Sequence, residues 1–206
     1  MGNRLTGAAS GAMRAQIDGG GAYVSGAGTA NIAGWVTGAA DIIGPALPIA
    51  TYGTAAEGTG TIWLCPIVVS SARVATHVVF ENTAGTPNVR CGIWRMDTGA
   101  LMSESVSTAL GGSAVNEVAL AAAQTLVPGI NYLAGFESDA AITMREIATV
   151  ASQGFISDFP QTAFYANQLG TYQVTHTYGA LPNPVGTLVS TSSASAGPWV
   201  GIRVSS

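Results

Sequence analysis

Residues 73–96 read RVATHVVFENTAGTPNVRCGIWRM, and this stretch decides the fold. Alternate residues are apolar in RVATHVVFE and again in VRCGIWRM, which is the period of a β-strand with two different faces. The segment NTAGTPN between them carries the Asn, Gly and Pro typical of a turn. The pattern therefore predicts a β-hairpin. One face of its two strands would carry Val74, Thr76, Val78, Phe80, Val89, Cys91 and Ile93.

Similar segments recur on both sides of this hairpin. TIWLCPIVV (61–69) reads as a strand that Pro66 assigns to an edge or a bulge. A Pro-Gly turn at 128–129 introduces INYLAGF, and WVGIRV (199–204) alternates once more. Residues 140–151 fit either a short helix or a strand. Short strands at 8–12-residue spacing indicate an antiparallel β-sandwich or barrel with little helix.

The chain divides by composition into two parts. Residues 1–58 are interrupted by glycine every few positions, which disfavours a helix and suits an extended arm. We therefore predict an N-terminal arm or attachment segment over 1–58 and a sandwich over 59–206. The arm's apolar side chains need burial against the main domain or a neighbouring subunit. The expected intersubunit contacts are Trp35, Ile42 and Ile43.

Charge is scarce over the whole sequence. The 206 residues include no lysine, only 9% are charged, and the net charge is −4. Soluble domains usually carry about 25% charged residues, so this composition favours a crowded assembly over free diffusion. Nucleic-acid binding needs a basic stripe, which the scattered arginines do not form. A membrane span needs about 18 apolar residues in a row, and none occurs. We expect neither partner.

Two motifs further along the chain also have the pattern of strands joined by short turns. Gly92-Ile93-Trp94 leads through a short loop to LMSES, and LVPGINYLAGF (126–136) joins a Pro-Gly turn to a strand. Together with the terminal WVGIRV, these segments resemble the jelly-roll domains of tailed-bacteriophage virion proteins. The resemblance covers about residues 60–206. The matching positions are Gly92, Ile93, Trp94, Leu101, Ser103, Glu104, Leu126, Pro128, Gly129, Tyr132, Leu133 and Ala134.

The resemblance implies a jelly-roll-like sandwich and a non-enzymatic structural role on the virion, after assembly in the host cytoplasm. A tail-associated fibre or appendage that meets the host surface is the first expectation, and a capsid decoration (cement) protein is the alternative. A carbohydrate-binding module is the alternative from another class, although residues 1–21 lack the apolar core of a signal peptide. Expected partners are other virion proteins and further copies of the chain, in a trimer.

The residues for catalysis or metal binding are few. His77 or His176 would have to pair with Asp97, Asp158 or a serine, and no G-x-S-x-G frames a serine. Cys65, His77 and Cys91 have no zinc spacing. The eleven acids are scattered, so a glycosidase pair of carboxylates is not expected. Gly19-Gly20-Gly21 lacks the lysine of a phosphate loop. We expect no enzyme, no metal and no cofactor.

Two further predictions concern particular side chains. The turn-rich stretch 152–185 is dense in aromatic rings, which suit both sugars and protein interfaces. The expected contacts with a host glycan or a neighbouring subunit are Phe164, Tyr165, Tyr172 and Tyr178. Cys65 and Cys91 do not form a disulfide framework, and we expect two buried thiols.

Overall fold

The computed structural model describes residues 42–44, 49–69, 71–150, 171–190 and 197–205. All regular secondary structure in these ranges is β-strand. No helix there is long and apolar enough to cross a membrane. The strands, in chain order, are β1 (Ile42–Ile43), β2 (Ile49–Glu57), β3 (Thr61–Val68), β4 (Arg73–Ala84), β5 (Asn88–Arg95), β6 (Leu101–Glu104), β7 (Thr108–Ala109), β8 (Ala114–Leu126), β9 (Asn131–Ser138), β10 (Ile142–Val150), β11 (Tyr172–Thr175), β12 (Val189–Ser190), β13 (Gly197–Pro198) and β14 (Val200–Ser205).

The strands form two antiparallel sheets. In sheet A, β4 pairs along one edge with β8 and along the other with β14 and then β10. β1 extends this sheet beside β14, while β2 and β13 pair with β10. Sheet B has the order β12-β11-β3-β9-β5, and both β6 and β7 pair with β5. The prediction of an all-β antiparallel sandwich is confirmed.

A single large apolar core lies between the sheets. Phe80 of β4 and Phe136 of β9 stack there with ring centroids 5.0 Å apart. Both rings are fully buried, and they bring the middle strands of the two sheets together. Alternation supplies the rest of the core, because every second residue of each strand points inward. Val89, Cys91 and Ile93 of β5 all belong to this core, and so do Val200, Ile202 and Val204 of β14.

The alternation in β4 breaks at Thr76. The pairing of β4 with β8 shifts between Ala75 and His77, and the pairing with β14 shifts between Arg203 and Val204. This bulge puts Ala75 in the core with Val78 and Phe80. The Thr76 hydroxyl, predicted on the Val78 face, instead donates to the backbone oxygen of Arg203 (3.4 Å). The extra residue of a bulge changes which side chains face inward.

The two ambiguous strand segments are resolved by their neighbours. Residues 142–150 form a strand rather than a helix, because β10 pairs with β2 along its length. Pro66 lies within β3, which pairs with β9 as far as Val68 but with β11 only as far as Leu64. Among the described strands, Pro66 therefore has a partner on one side only. A missing N–H is tolerated at such a local edge.

The sandwich begins before residue 59. β2 pairs with β10, and β1 pairs with β14 through Ile42↔Arg203 and Ile43↔Ile202. Part of the segment predicted as an arm is therefore built into sheet A. The glycine content of this segment hid the strands, because their stability comes from long-range pairing rather than from local preference. Residues 1–41 lie outside the described part.

Candidate functional site

A second apolar cluster covers the outer face of sheet B. The chain after β11 crosses this face, and its Leu181 and Val185 pack against side chains of the sheet. Trp94 is fully buried beneath it, and its indole N–H donates to the backbone oxygen of Pro182 (3.0 Å). The cluster fixes the course of the segment over the sheet. Its buried members are Ile62, Leu64, Trp94, Leu133, Tyr172, Val174, Leu181 and Val185.

Two cross-strand glycines allow close packing here, one against the cover and the other within sheet B. Gly92 of β5 pairs with Gly135 of β9. A Cβ on Gly92 would lie 2.6 Å from Leu181 Cδ1, and a Cβ on Gly135 would collide with the backbone oxygen of Trp63. The Gly-Ile-Trp motif therefore has a packing explanation: Gly92 makes space for the cover, Ile93 enters the core and Trp94 supports the cover.

Hydrogen bonds to two glutamates of sheet B hold the first part of the segment after β11, residues 176–181. Glu137, only 1% exposed, accepts a hydrogen bond from the Gly179 N–H (3.0 Å), and its other oxygen lies 2.7 Å from His176 Nδ1. Glu104 accepts from the Leu181 N–H (3.0 Å) and pairs with Arg90 at 3.5 Å. Because a buried carboxylate such as that of Glu137 needs such partners, the 176–181 turn and sheet B depend on each other.

The predicted aromatic contacts fall in three environments. Tyr172 lies on β11, opposite Leu64, and is 6% exposed, so its ring has no open face for a ligand. Tyr178 is half-buried, and its hydroxyl lies 2.6 Å from Ser107 Oγ. This contact links the 176–181 turn to the loop before β7. Phe164 and Tyr165 lie outside the described residues.

The predicted intersubunit contacts are divided in the same way. Ile43 is 3% exposed and belongs to the chain's own core, so it offers little surface to a second chain. Ile42 is half-buried beside Arg203. The Trp199 indole covers two glycines here: a Cβ on Gly44 or Gly201 would lie 2.7 Å from its ring. Trp35 lies outside the described residues.

Two buried carboxylates lie on the core side of sheet A. Glu57 is opposite Ile142, and Glu146 follows Met144 by two residues, so both share the inward face of those apolar residues. Glu57 is 5% and Glu146 is 8% exposed. Oε1 of Glu57 and Oε2 of Glu146 have no hydrogen-bond partner in the described chain. Burial, with a smaller contribution from the Glu146 charge, raises the pKa of Glu57 to about 7, and burial also raises the pKa of Glu146.

Among the described residues, neither histidine pairs with Asp97 or with a serine. His176 pairs with Glu137, and His77 Nδ1 lies 2.9 Å from its neighbour Thr76 Oγ1. Asp97 is engaged by Arg95, and Asp158 lies outside the described residues. Within the described ranges, no three His, Cys, Asp or Glu residues form a group that could hold a metal ion.

Both cysteines are buried free thiols, as predicted. Cys65 of β3 and Cys91 of β5 each pair with a residue of β9, which lies between them. Two strand spacings are about 10 Å, beyond the reach of a disulfide. The Cys65 thiol donates to the backbone oxygen of Pro198 (3.2 Å). Burial raises the pKa of Cys65 to about 12 and also raises that of Cys91, so neither forms the reactive thiolate.

We therefore expect that reductant does not destabilise the folded protein and that thiol reagents do not react with it. Dithiothreitol should leave the melting temperature unchanged, and a maleimide should label the cysteines only after denaturation. Replacing both cysteines by alanine should lower the free energy of unfolding by about 1–3 kcal/mol, through lost packing and the lost Cys65 hydrogen bond. Melting curves with and without reductant check this. Melting caused by reductant alone would show a disulfide.

Compared with models of known protein families and with curated proteins, the chain matches none. The two buried glutamates and the His176–Glu137 pair also escape sequence reasoning. Both arrangements bring together residues that are far apart in the chain, and no local sequence pattern predicts them.

Proposed function

We propose that this chain is a non-enzymatic structural protein on the surface of a tailed-phage virion, built on a jelly roll. The strand order is the observation that carries the proposal. Eight strands pair in a nested way: β2 with β10, β3 with β9, β4 with β8, and β5 with β6. The pairs β4–β10 and β5–β9 then join them as β2-β10-β4-β8 in one sheet and β3-β9-β5-β6 in the other.

This order is that of a long hairpin wrapped into a sandwich, with the β5–β6 turn at its tip. The nested pairing of eight strands in two sheets is the order expected of a jelly roll, the architecture of viral capsid and lectin domains, and it supports the proposal. The remaining strands extend this unit. β11 and β12 widen sheet B beyond β3, while β14 fills the space beside β4.

The arrangement of charge supports a role in an assembly. Four of the five arginines in the described ranges pair with carboxylates of the same chain, which leaves little charge free to repel a neighbouring protein. Free surface charge normally keeps diffusing proteins apart. The pairs are Arg90–Glu104, Arg95–Asp97, Arg145–Glu81 and Arg203–Glu117.

A homo-oligomeric tail fibre or appendage is the form we favour within this class. In that form, residues 1–41 would attach the sandwich to other virion proteins, and one end of the sandwich would face the host. Tyr178 would be available there for a glycan, since its ring is half-buried and not sealed in the cluster. A capsid decoration protein has the same requirements and differs only in where it attaches.

The proposal predicts that the protein is a stoichiometric component of purified particles. Heads and tails of a phage that carries this sequence would be separated and analysed by quantitative mass spectrometry. We expect the chain in the tail fraction, at a copy number that is a multiple of its oligomeric state. Recovery from heads would favour the decoration alternative. Absence from both fractions, with the protein abundant in the lysate, would contradict a virion role.

A further inference from the structure

Strand β8 lies at an edge of sheet A within the part of the chain that the structure describes. β4 is its only paired neighbour among the described strands. The strand covers Ala114–Leu126 and is the longest in the described chain, more than twice the usual five or six residues. An unpaired strand edge presents backbone N–H and C=O groups to any strand that can approach.

A bulge divides this edge into two halves. Ala119 is opposite His77 whereas Gln124 is opposite Ala75, so residues 120–123 leave the regular pairing with β4. The second half turns toward sheet B, where the Ala122 N–H donates to Ser103 Oγ (3.2 Å). The first half, Ala114–Ala119, keeps a regular register with β4 and is long enough to accept a partner strand.

The first half also lacks the usual protection of an edge. Proteins protect such edges with charged side chains, especially lysine, with proline or with bulges. AVNEVA contains no lysine or proline, and the bulge lies beyond Ala119. Val115 is 50% exposed, and Ala114 and Ala119 are also exposed. Glu117 is its only charged residue, and that charge is already paired with Arg203 of the same chain.

We propose that Ala114–Ala119 pairs antiparallel with the same segment of a second copy, around a two-fold axis. This inference rests on the proposed homo-oligomer and names its interface. A second copy fits because an antiparallel edge is complementary to itself. With Glu117 as the only charge, every register except the one that places Glu117 opposite its equivalent avoids like charges. A two-fold contact requires an even number of chains, in contrast to the trimer predicted from sequence.

Lysines on the exposed side of this edge would test the pairing. Val115→Lys with Ala119→Lys adds charge at exposed positions, so a free chain can tolerate it. In the pair, the two-fold axis brings four lysines to one seam. The control is Thr86→Lys with Ala140→Lys, which adds the same charge at exposed positions outside the strands. Light scattering should give the wild type and the control twice the 20.7 kDa chain mass or a larger even multiple, and at most half the wild-type mass for the edge variant.

The outcomes separate the two proposals. A trimer, or an edge variant that keeps the wild-type mass, would overturn the β8 pairing and leave the virion role standing. A wild-type monomer at high concentration would overturn both the pairing and the homo-oligomer, and the particle fractions would still test the virion role. If the edge variant fails to fold, hydrogen exchange on the wild type decides. Amides of 114–119 that point away from β4 should exchange at least tenfold more slowly at high concentration than at high dilution, and equal rates would contradict the pairing.

Discussion

Trp94→Ala should lower the free energy of unfolding by about 3–5 kcal/mol, the usual range for removing a fully buried large aromatic side chain. Trp94 is 0% exposed, supports Leu181 and Val185, and holds Pro182 through its indole N–H. Its loss leaves a cavity between sheet B and the segment that covers it. Urea unfolding monitored by far-UV circular dichroism, a signal from the backbone, gives the change in the free energy of unfolding.

The matched control for this variant is Trp94→Phe. Phenylalanine keeps most of the apolar volume and loses the hydrogen bond to Pro182, so we expect a loss of about 1–2 kcal/mol. Limited proteolysis adds a local readout, since Trp94→Ala should expose residues 176–188 to cleavage well before the sandwich unfolds. Equal stabilities for the two variants would contradict the packing role of the ring.

Acidification should stabilise the protein through Glu57. Its pKa rises from an ordinary value of 4.5 to about 7 in the folded state. Below pH 4.5 the carboxyl is protonated in both states, whereas between 4.5 and 7 only the folded state holds the proton. The free energy of unfolding contributed by this group therefore falls as the pH rises through this window, by at most about 3.5 kcal/mol at about 1.4 kcal/mol per pKa unit.

Glu57→Gln should remove this dependence. The variant should be more stable than the wild type at pH 8 by about 1–3 kcal/mol, and the two should converge toward pH 4. Glu146→Gln should weaken the effect, because it removes the neighbouring charge that helps to raise the pKa of Glu57. Glu117→Gln changes an exposed carboxylate of the same sheet and should keep the wild-type profile. A wild-type profile for Glu57→Gln would rule out a buried, protonated Glu57.

The parts of the fold that sequence predicts are those with a local cause. Alternation in 89–94 and 199–204 gives the correct inward faces of β5 and β14, because period two is a property of the strand itself. The face of Thr76 is wrong because a bulge depends on what the partner strands do. Tyr172 reads as part of a surface loop, yet pairing with β3 places it in a strand.

The buried polar groups could not be predicted, because long-range pairing creates them. Glu57 has no unusual sequence context, and it becomes buried only when β2 pairs with β10. Likewise His176 finds Glu137 only after the segment beyond β11 crosses sheet B. A sequence pattern reports on neighbours along the chain, whereas these carboxylates depend on neighbours across it.

The position of β14 has a consequence for how the chain folds during synthesis. β14 pairs with β4 through Val200↔Phe80 and with β1 through Ile43↔Ile202. During synthesis, β1 and β4 therefore lack this partner until β14, the last of the described strands, has been made. Contacts between residues so distant in sequence slow folding, because a large loop must close first. A ribosome-bound chain would expose the β4 side of the core until residues 200–205 emerge. Removing those residues would therefore leave β4 without a partner along one edge from Val74 to Phe80, and would not merely shorten the protein.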